Sequence, residues 1–291
     1  MQKVLITCAT GVLGRAVVNS AVGAGLAVRQ GVRNPSKADP VAEVIHLDYA
    51  ESSTISPAVE DISALVLMAP PLDSNAPALL GPVVKAAKGA GVRHVVLISA
   101  FGVNHNEQAP MRIVEHLVID SGVPYTILRP NFFMENFSAG FLAPSIREQH
   151  AIYLAAGDGK TSFISVEDIA AAVTAALKQS LTGKEIDLTG SAALDHVKVA
   201  RIISEVTGHT IVYHSLSEDQ MLDGARAQGM PEPIVAYLGM LYSVVRAGYA
   251  AGTSNDFETI TGRRPVAFET FARSAFDAWR RSRLTRQLGP C

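Results

Sequence analysis

The chain is poor in cysteine. Among its 291 residues only Cys8 and Cys291 occur, at opposite ends, so no disulfide framework is expected and the fold must rest on its own core. Long apolar runs are missing too. No stretch approaches the roughly 18–20 residues that a bilayer-spanning helix needs, and no basic-then-apolar leader precedes the strand-like residues that begin at Val4. Neither sign of charge predominates. The formal net charge of −2 leaves no global basic field for nucleic acid or an anionic membrane. No histidines fall in a metal-binding spacing such as His-Glu-x-x-His, so no metal site is expected. Repeats of fixed period and low-complexity linkers are absent. The expectation is a reduced, cytoplasmic protein, monomer or homodimer, with no nucleic-acid or membrane partner.

What is present is an ordinary globular composition, 48% hydrophobic and 18% charged, on a chain long enough for one large domain or two intimate ones. Val4–Thr7 is a short apolar, β-branched run, and Gly11–Gly25 follows with helical spacing. Ala27–Val32 and Leu65–Met68 read as strands. Leu79–Gly89 reads as a helix, His94–Ser99 as a strand, Arg112–Ser121 as a helix and Tyr125–Leu128 as a strand. This alternation predicts right-handed βαβ crossovers and a parallel sheet covered on both faces. Beyond Arg129 the rhythm changes. NFFMENFSAGF (131–141) is aromatic and amphipathic, Phe163–Val166 reads as a strand, Val166–Lys178 as a helix capped by Ser165, and Ile186–Leu188 as a returning strand. Ser217 and Gln220 have capping-box spacing, and Pro231–Ala247 is apolar nearly all round. Arg280, Arg281, Arg283 and Arg286 read as a solvated helix end. The fold class expected is α/β, a doubly wound parallel sheet over residues 1–130 and 159–190. A smaller, mostly helical cap over 131–158 and 191–291 is interwoven with it.

The opening ITCATGVLG places Gly11 and Gly14 after a strand and before a helix. A helix N-terminus offers unpaired N–H groups and a positive dipole end, and glycines let a phosphate approach the backbone. Cys8 stands where such a loop expects its first glycine, either tolerated in the turn or crowding it. At the end of the second strand a site for NAD carries Asp or Glu, about 20 residues beyond the glycines, to hold the ribose 2′-hydroxyl. Here VRQGVRNPSK offers Arg33 and Lys37 and no acid. Cations suit a 2′-phosphate, so NADP(H) is favoured over NAD(H).

TCATGVLG, GVRNPSK, HLDY, AAKGAGVRHVVLIS, SGVPYTILRPNFFMENF and AAGDGKTSFISVEDIA, in this order, resemble the NmrA-like branch of the atypical short-chain dehydrogenases/reductases. The likeness extends to GRRPVAFETFA near the end. Within the branch it is nearest to NAD(P)H:quinone oxidoreductases and triphenylmethane reductases, and MAPP with FFMENF is similar to reductases of iminium intermediates. The resemblance implies a Rossmann-type fold. It implies a cofactor site at Thr7, Ala9, Thr10, Gly11, Val12 and Leu13, with Arg33 and Lys37 at the 2′-phosphate and Asp48 by the adenine. Ala69, Pro70 and Ser99 would lie near the ribose, and Pro130 and Phe132 at the nicotinamide. Phe133, Met134 and Phe137 would line the substrate cavity.

Carbonyl-reducing short-chain dehydrogenases use Tyr-x-x-x-Lys, in which lysine lowers the pKa of a proton-donating tyrosine. No tyrosine of this chain has a lysine four residues on. Arg112 is the nearest stand-in for the lysine and His116 a second candidate acid, so no catalytic residue is assigned. A quinone or iminium accepts hydride without a positioned acid, being converted to a stabilised phenolate or a neutral amine. The sequence therefore points to an NADPH-dependent reductase of a small conjugated or aromatic electrophile. The alternative is a non-catalytic NADP(H)-binding redox sensor acting through a protein partner.

Overall fold

The computed structural model describes residues 3–70 and 73–280. Arg281, Arg283, Arg286 and Cys291 lie outside them. Seven strands form one parallel sheet: β1 (Lys3–Ile6), β2 (Ala27–Val32), β3 (Glu43–His46), β4 (Ala64–Met68), β5 (His94–Ile98), β6 (Tyr125–Pro130) and, after a separate strand β7 (Ala151–Leu154), β8 (Lys184–Leu188). Their spatial order is β3-β2-β1-β4-β5-β6-β8, and β7 pairs with β9 (Val212–Ser215) in a second, two-stranded ladder. The chain winds outward from β1 in both directions, so the order reverses between β1 and β4. That reversal opens a crevice at the carboxyl ends of those two strands, where open α/β sheets take ligands.

The central strands are buried on both faces, and the period-2 alternation of side chains divides the core in two. Val4, Ile6, Val66, Met68, Val96 and Ile98 face helices α1 (Val12–Gly23) and α6 (Val166–Gln179). Leu5, Leu65, Leu67, Val95, Leu97 and Ile127 face α2 (Ser52–Val59), α3 (Ala76–Gly89) and α4 (Pro110–Asp120). A third core gathers α5 (Ala143–Gln149), β7, α7 (His196–Thr207), α8 (Glu218–Ala227), α9 (Glu232–Arg246) and α11 (Phe268–Ser274) around Met134, Phe137, Ile152, Val199, Tyr242 and Phe268. Between α9 and α11, α10 (Asp256–Thr261) departs from this grouping. Its Phe257 is buried in the α1/α6 core, and Asp256 accepts the β8 amide of Asp187 at 3.0 Å. Among the described residues no helix is long and apolar enough to cross a membrane.

Phe163–Val166 is not a strand. Ile164 bridges Phe133 while Thr161 bridges Leu194, so neighbouring residues pair with different partners and no ladder propagates. Ser165 then turns the chain into α6, its side chain accepting the amide of Asp168 at 3.1 Å. The capping box at Ser217 and Gln220 forms, opening α8.

Beneath the sheet's carboxyl edge lies a buried ion network. Glu115 on α4 is fully buried and accepts both Arg129 Nε and Nη2 at 2.8 Å, Arg112 Nη1 at 2.9 Å and Ser99 Oγ at 2.6 Å. Arg129 also pairs with Glu185 on β8. Burial alone would raise the Glu115 carboxyl, yet Arg129, Ser99 and Arg112 together hold it below the usual carboxylate range. The network ties α4 to β5, β6 and β8. Removing Glu115 leaves the buried Arg129 with only the part-exposed Glu185, and removing Arg129 leaves the buried Glu115 with only Arg112 as a cation. Glu115→Ala is therefore expected to lose about 3–5 kcal/mol in urea unfolding, and Glu115→Ala/Arg129→Met, which removes both charges, to lose less.

Candidate active site

The loop after β1 is built by backbone constraints. Thr7 is fully buried; its hydroxyl donates to Val66 O at 3.2 Å and accepts the Met68 amide at 2.9 Å. Its side chain thus stitches β1 to β4 and is not available to a ligand. Cys8 adopts φ +50°, the left-handed region that explains why glycine suits this position. Its carbonyl accepts the Gly11 amide at 3.1 Å. A Cβ on Gly14 would stand 2.2 Å from that same carbonyl oxygen and 2.8 Å from Ala9 Cα, so α1 rests directly on the loop backbone. Gly11 caps α1 without a side chain, leaving the first amides of the helix free of a capping oxygen. Gly11 and Val12 are exposed, Thr10 and Leu13 half-buried, and Ala9 buried. A loop on which Gly14 packs too closely for a Cβ, with an uncapped helix start at its rim, fits a dinucleotide pyrophosphate.

The Cys8 sulfur turns inward. Sγ lies 3.4 Å from Met68 O and 3.8 Å from the Tyr49 hydroxyl, which itself donates to Met68 O at 2.8 Å. Burial pushes the thiol up, against the opposing influence of Tyr49 and Arg33. Cys8 is thus a neutral thiol packed against the end of β4, as a small hydrophobe would be.

Past β2, Arg33 is exposed, and Asn34 accepts Ser36 N at 3.1 Å to start a 3₁₀ turn, Pro35–Lys37. Lys37 is exposed at its end. Among the described residues neither Arg33 nor Lys37 is ion-paired. Asp48 closes the turn after β3, its carboxylate accepting the Ala50 amide at 3.0 Å. Ala69 and Pro70 follow β4, half-buried, across the crevice from the glycine loop.

Around α4 the structure brings together Ser99, Arg112 and His116, and commits all three to carboxylates. Ser99 donates to Glu115. Arg112 pairs with Glu115 at 2.9 Å and Glu107 at 3.1 Å, and His116 Nε2 lies 2.7 Å from Glu107. The residue four positions before Arg112 is Gln108, so no phenol accompanies the guanidinium.

The aromatic segment leaves β6 at the buried Pro130. Asn131 anchors it, donating from Nδ2 to Ser162 Oγ at 2.7 Å and to Ala250 O at 2.9 Å. Phe132 and Phe133 are half-buried, with Phe132 tilted against Tyr242 at 6.1 Å between centroids. Met134 and Phe137 are only 2% and 1% exposed. Phe137 packs edge-on to Phe163 and Phe268, so the structure puts these two side chains in the core rather than on a surface open to ligand. Their apolar spacing fits either role, and only the three-dimensional packing separates them.

Sequence reasoning passed over Glu135, the one acid inside this apolar segment. Its Oε2 accepts the first amide of α6, from Val166, at 3.0 Å. Burial, reinforced by Glu167 and Asp168, pushes its carboxyl up to about 7 despite that hydrogen bond. Since α6 returns antiparallel from the carboxyl edge of the sheet, Glu135 lies on the same edge as Phe132 and Phe133.

A family model described as NAD(P)H-binding matches residues 8–180. Agroclavine dehydrogenase of Claviceps fusiformis is 35% identical over 229 residues, 78% of this chain and 79% of the relative. Two solved structures superpose along nearly the whole length. Triphenylmethane reductase of Citrobacter sp. complexed with NADP(H) has a TM-score of 0.82 at 25% identity, covering 94% of this chain and 100% of the other. NADPH-dependent quinone oxidoreductase of Escherichia coli complexed with NADPH has a TM-score of 0.84 at 25% identity, covering 94% and 99%.

Two expectations follow from the geometry. Cys8→Gly removes a left-handed backbone cost of about 1–2 kcal/mol but gives up the sulfur's packing. It should therefore change stability by no more than about 1 kcal/mol in chemical denaturation and retain dinucleotide binding by calorimetry. Cys8→Val, β-branched at positive φ, should be the destabilised variant. For Glu135, the folded protein holds the proton up to about 7, while the unfolded chain releases it in the ordinary carboxylate range. Stability from this group is thus full at low pH and lost as pH rises toward 7. Glu135→Gln, which keeps an acceptor for Val166, should gain on the order of 1–3 kcal/mol relative to wild type between pH 4.5 and pH 8. Denaturant midpoints across that range measure it.

Proposed function

The chain belongs to the NAD(P)H-binding family, and from that premise we propose that it is an NADPH-dependent reductase of flat, conjugated electrophiles such as quinones and iminium ions. Bound NADPH supplies the hydride. The free amides at the start of α1 hold the pyrophosphate, and Arg33 and Lys37 hold the 2′-phosphate. The third core, formed from 131–158 and 191–280 apart from α10 and joined by Phe163, serves as the cap over the acceptor. Phe132 and Phe133 exclude water and align the acceptor's plane, while Asn131 fixes the strand end from which they project. Orientation in a dry pocket lowers a barrier by several kcal/mol without a proton relay.

One observation carries this reading. At the position where a carbonyl reductase needs a phenol and a lysine, this chain has no tyrosine, and Arg112 is spent on Glu107 and Glu115. Ketones, which become alkoxides, are poorly served by such a site; acceptors that become stabilised phenolates or neutral amines are not. Relatives whose names specify agroclavine, triphenylmethane and quinone chemistry agree with the second group.

The test is NADPH oxidation across a panel of quinones, cyclic iminium compounds, triphenylmethane dyes and simple ketones. Turnover is expected in the first three classes and not the fourth. Selective reduction of ketones would sink the proposal. For the cofactor, Arg33→Ala should lower NADPH affinity by roughly 1.5–3 kcal/mol, the worth of one charge-assisted contact, and leave NADH nearly unchanged in calorimetric titrations.

A further inference from the structure

The geometry points to Arg15 as a third ligand of the cofactor's 2′-phosphate and as the strut that sets Lys37 in place. The inference rests on the NADP(H) reading above and adds a specificity-determining residue to it. Arg15 lies in the first turn of α1, with its own amide bonded to Gly11 O at 2.9 Å. Its Nε donates to Thr10 O at 3.0 Å and its Nη2 to Lys37 O at 3.3 Å. One guanidinium therefore spans the glycine loop and the end of the 3₁₀ turn, the two segments a bound adenosine phosphate must touch together.

Two of the five guanidinium N–H groups are used by these carbonyls, and three remain for a ligand. The side chain is exposed, and among the described residues it has no carboxylate partner. Arg29, Arg112, Arg129, Arg226 and Arg246 are each locked to one. Arg15 also stands at the wrong end of its helix. A cation in the first turn opposes the macrodipole, and α1 has no acid there to compensate. Arg33, just before the 3₁₀ turn that Arg15 contacts, and Lys37, at its end, are two more cations without an ion pair among the described residues. Arg15, held by two neutral carbonyls at a positive helix end and tied to the turn that carries Lys37, is a cation that a dianion would relieve. The bond to Lys37 O sets Arg15 on the adenosine side of the loop, which favours the 2′-phosphomonoester over the pyrophosphate.

The experiment compares Arg15→Ala and Arg15→Gln with wild type and Arg33→Ala, by calorimetric titration with NADPH and NADH and by thermal unfolding. Arg15 is exposed, so the unfolding temperature should hold. NADPH binding should weaken about tenfold or more, as loss of a charge-assisted contact implies, with NADH weakened less than about threefold. Both Arg15 variants should also flatten the salt dependence of NADPH binding. Equal weakening of both dinucleotides would overturn the inference, because it would reduce Arg15 to a support for the loop. If Arg33→Ala discriminates between the dinucleotides and the Arg15 variants do not, this inference alone fails. If no variant discriminates, the 2′-phosphate reading itself fails.

Discussion

The whole carboxyl edge of the sheet depends on how closely α1 approaches the loop in front of it. With Gly14 stacked on the Cys8 carbonyl at a distance that no Cβ allows, the helix axis is drawn down against β1 and its first amides are aimed across the crevice. Thr7 completes the constraint from below by fastening the end of β1 to β4 through its hydroxyl. Two small features thus fix the switch point: a missing Cβ and one buried hydroxyl. The cysteine is a secondary adjustment. It accepts a left-handed backbone that glycine would adopt freely, and part of that cost is offset because its sulfur fills the space between Met68 and Tyr49.

A second constraint shapes the chemistry. Glu115 needs cations, and it takes Arg129 and Arg112 to satisfy it. Buried pairs of this kind contribute modestly to net stability but penalise any arrangement that leaves one charge alone. The consequence is positional. Arg112 and His116, the two basic side chains of α4, are both turned to carboxylates, Arg112 to Glu107 and Glu115 and His116 to Glu107. The absence of a phenol and the commitment of the cation are therefore one design. Where an acid–base pair would sit, this chain has a structural ion network that locks α4 against β5 and β6.

How much of this was legible in the sequence follows from burial. β1, β4, β5 and β6 are apolar on both faces and could be read from their runs of Val, Leu and Ile. β3 escaped notice because it is an edge strand with mostly exposed side chains, Glu43, Val44 and His46. The short β7 and β9 form a ladder of their own, outside the alternation that betrays the main sheet. α2 is hidden by Ser52, Ser53, Thr54 and Pro57, residues of poor helix propensity that only tertiary packing of Ile55 and Val59 makes helical. At the proposed site, the glycines and the cations after β2 stand out because the chemistry proposed for them requires those residue types at that spacing. Arg15 does not. A basic residue on an exposed helix turn is common, and only the two carbonyls it bridges distinguish it. Phe132, Phe133, Met134 and Phe137 form one apolar string in the sequence, and only the third core divides them into half-buried and fully buried pairs.

The two ends of the site are consequently held by different physics. The proposed adenosine end is a set of exposed cations on short turns, tied to the fold by a few hydrogen bonds. Its selectivity is electrostatic, weakened by salt and alterable with little cost to folding. The proposed reacting end is held by Asn131, which is buried and reaches Ser162 and Ala250, while Ser162 reaches on to Gly252 at 2.6 Å. Three segments far apart in the chain meet at one amide. A change in the acceptor pocket therefore disturbs the packing of both the sheet and the third core. On the proposed reading, cofactor choice can drift by single surface substitutions, whereas acceptor choice is coupled to stability and must change through compensated repacking around Phe132 and Phe133.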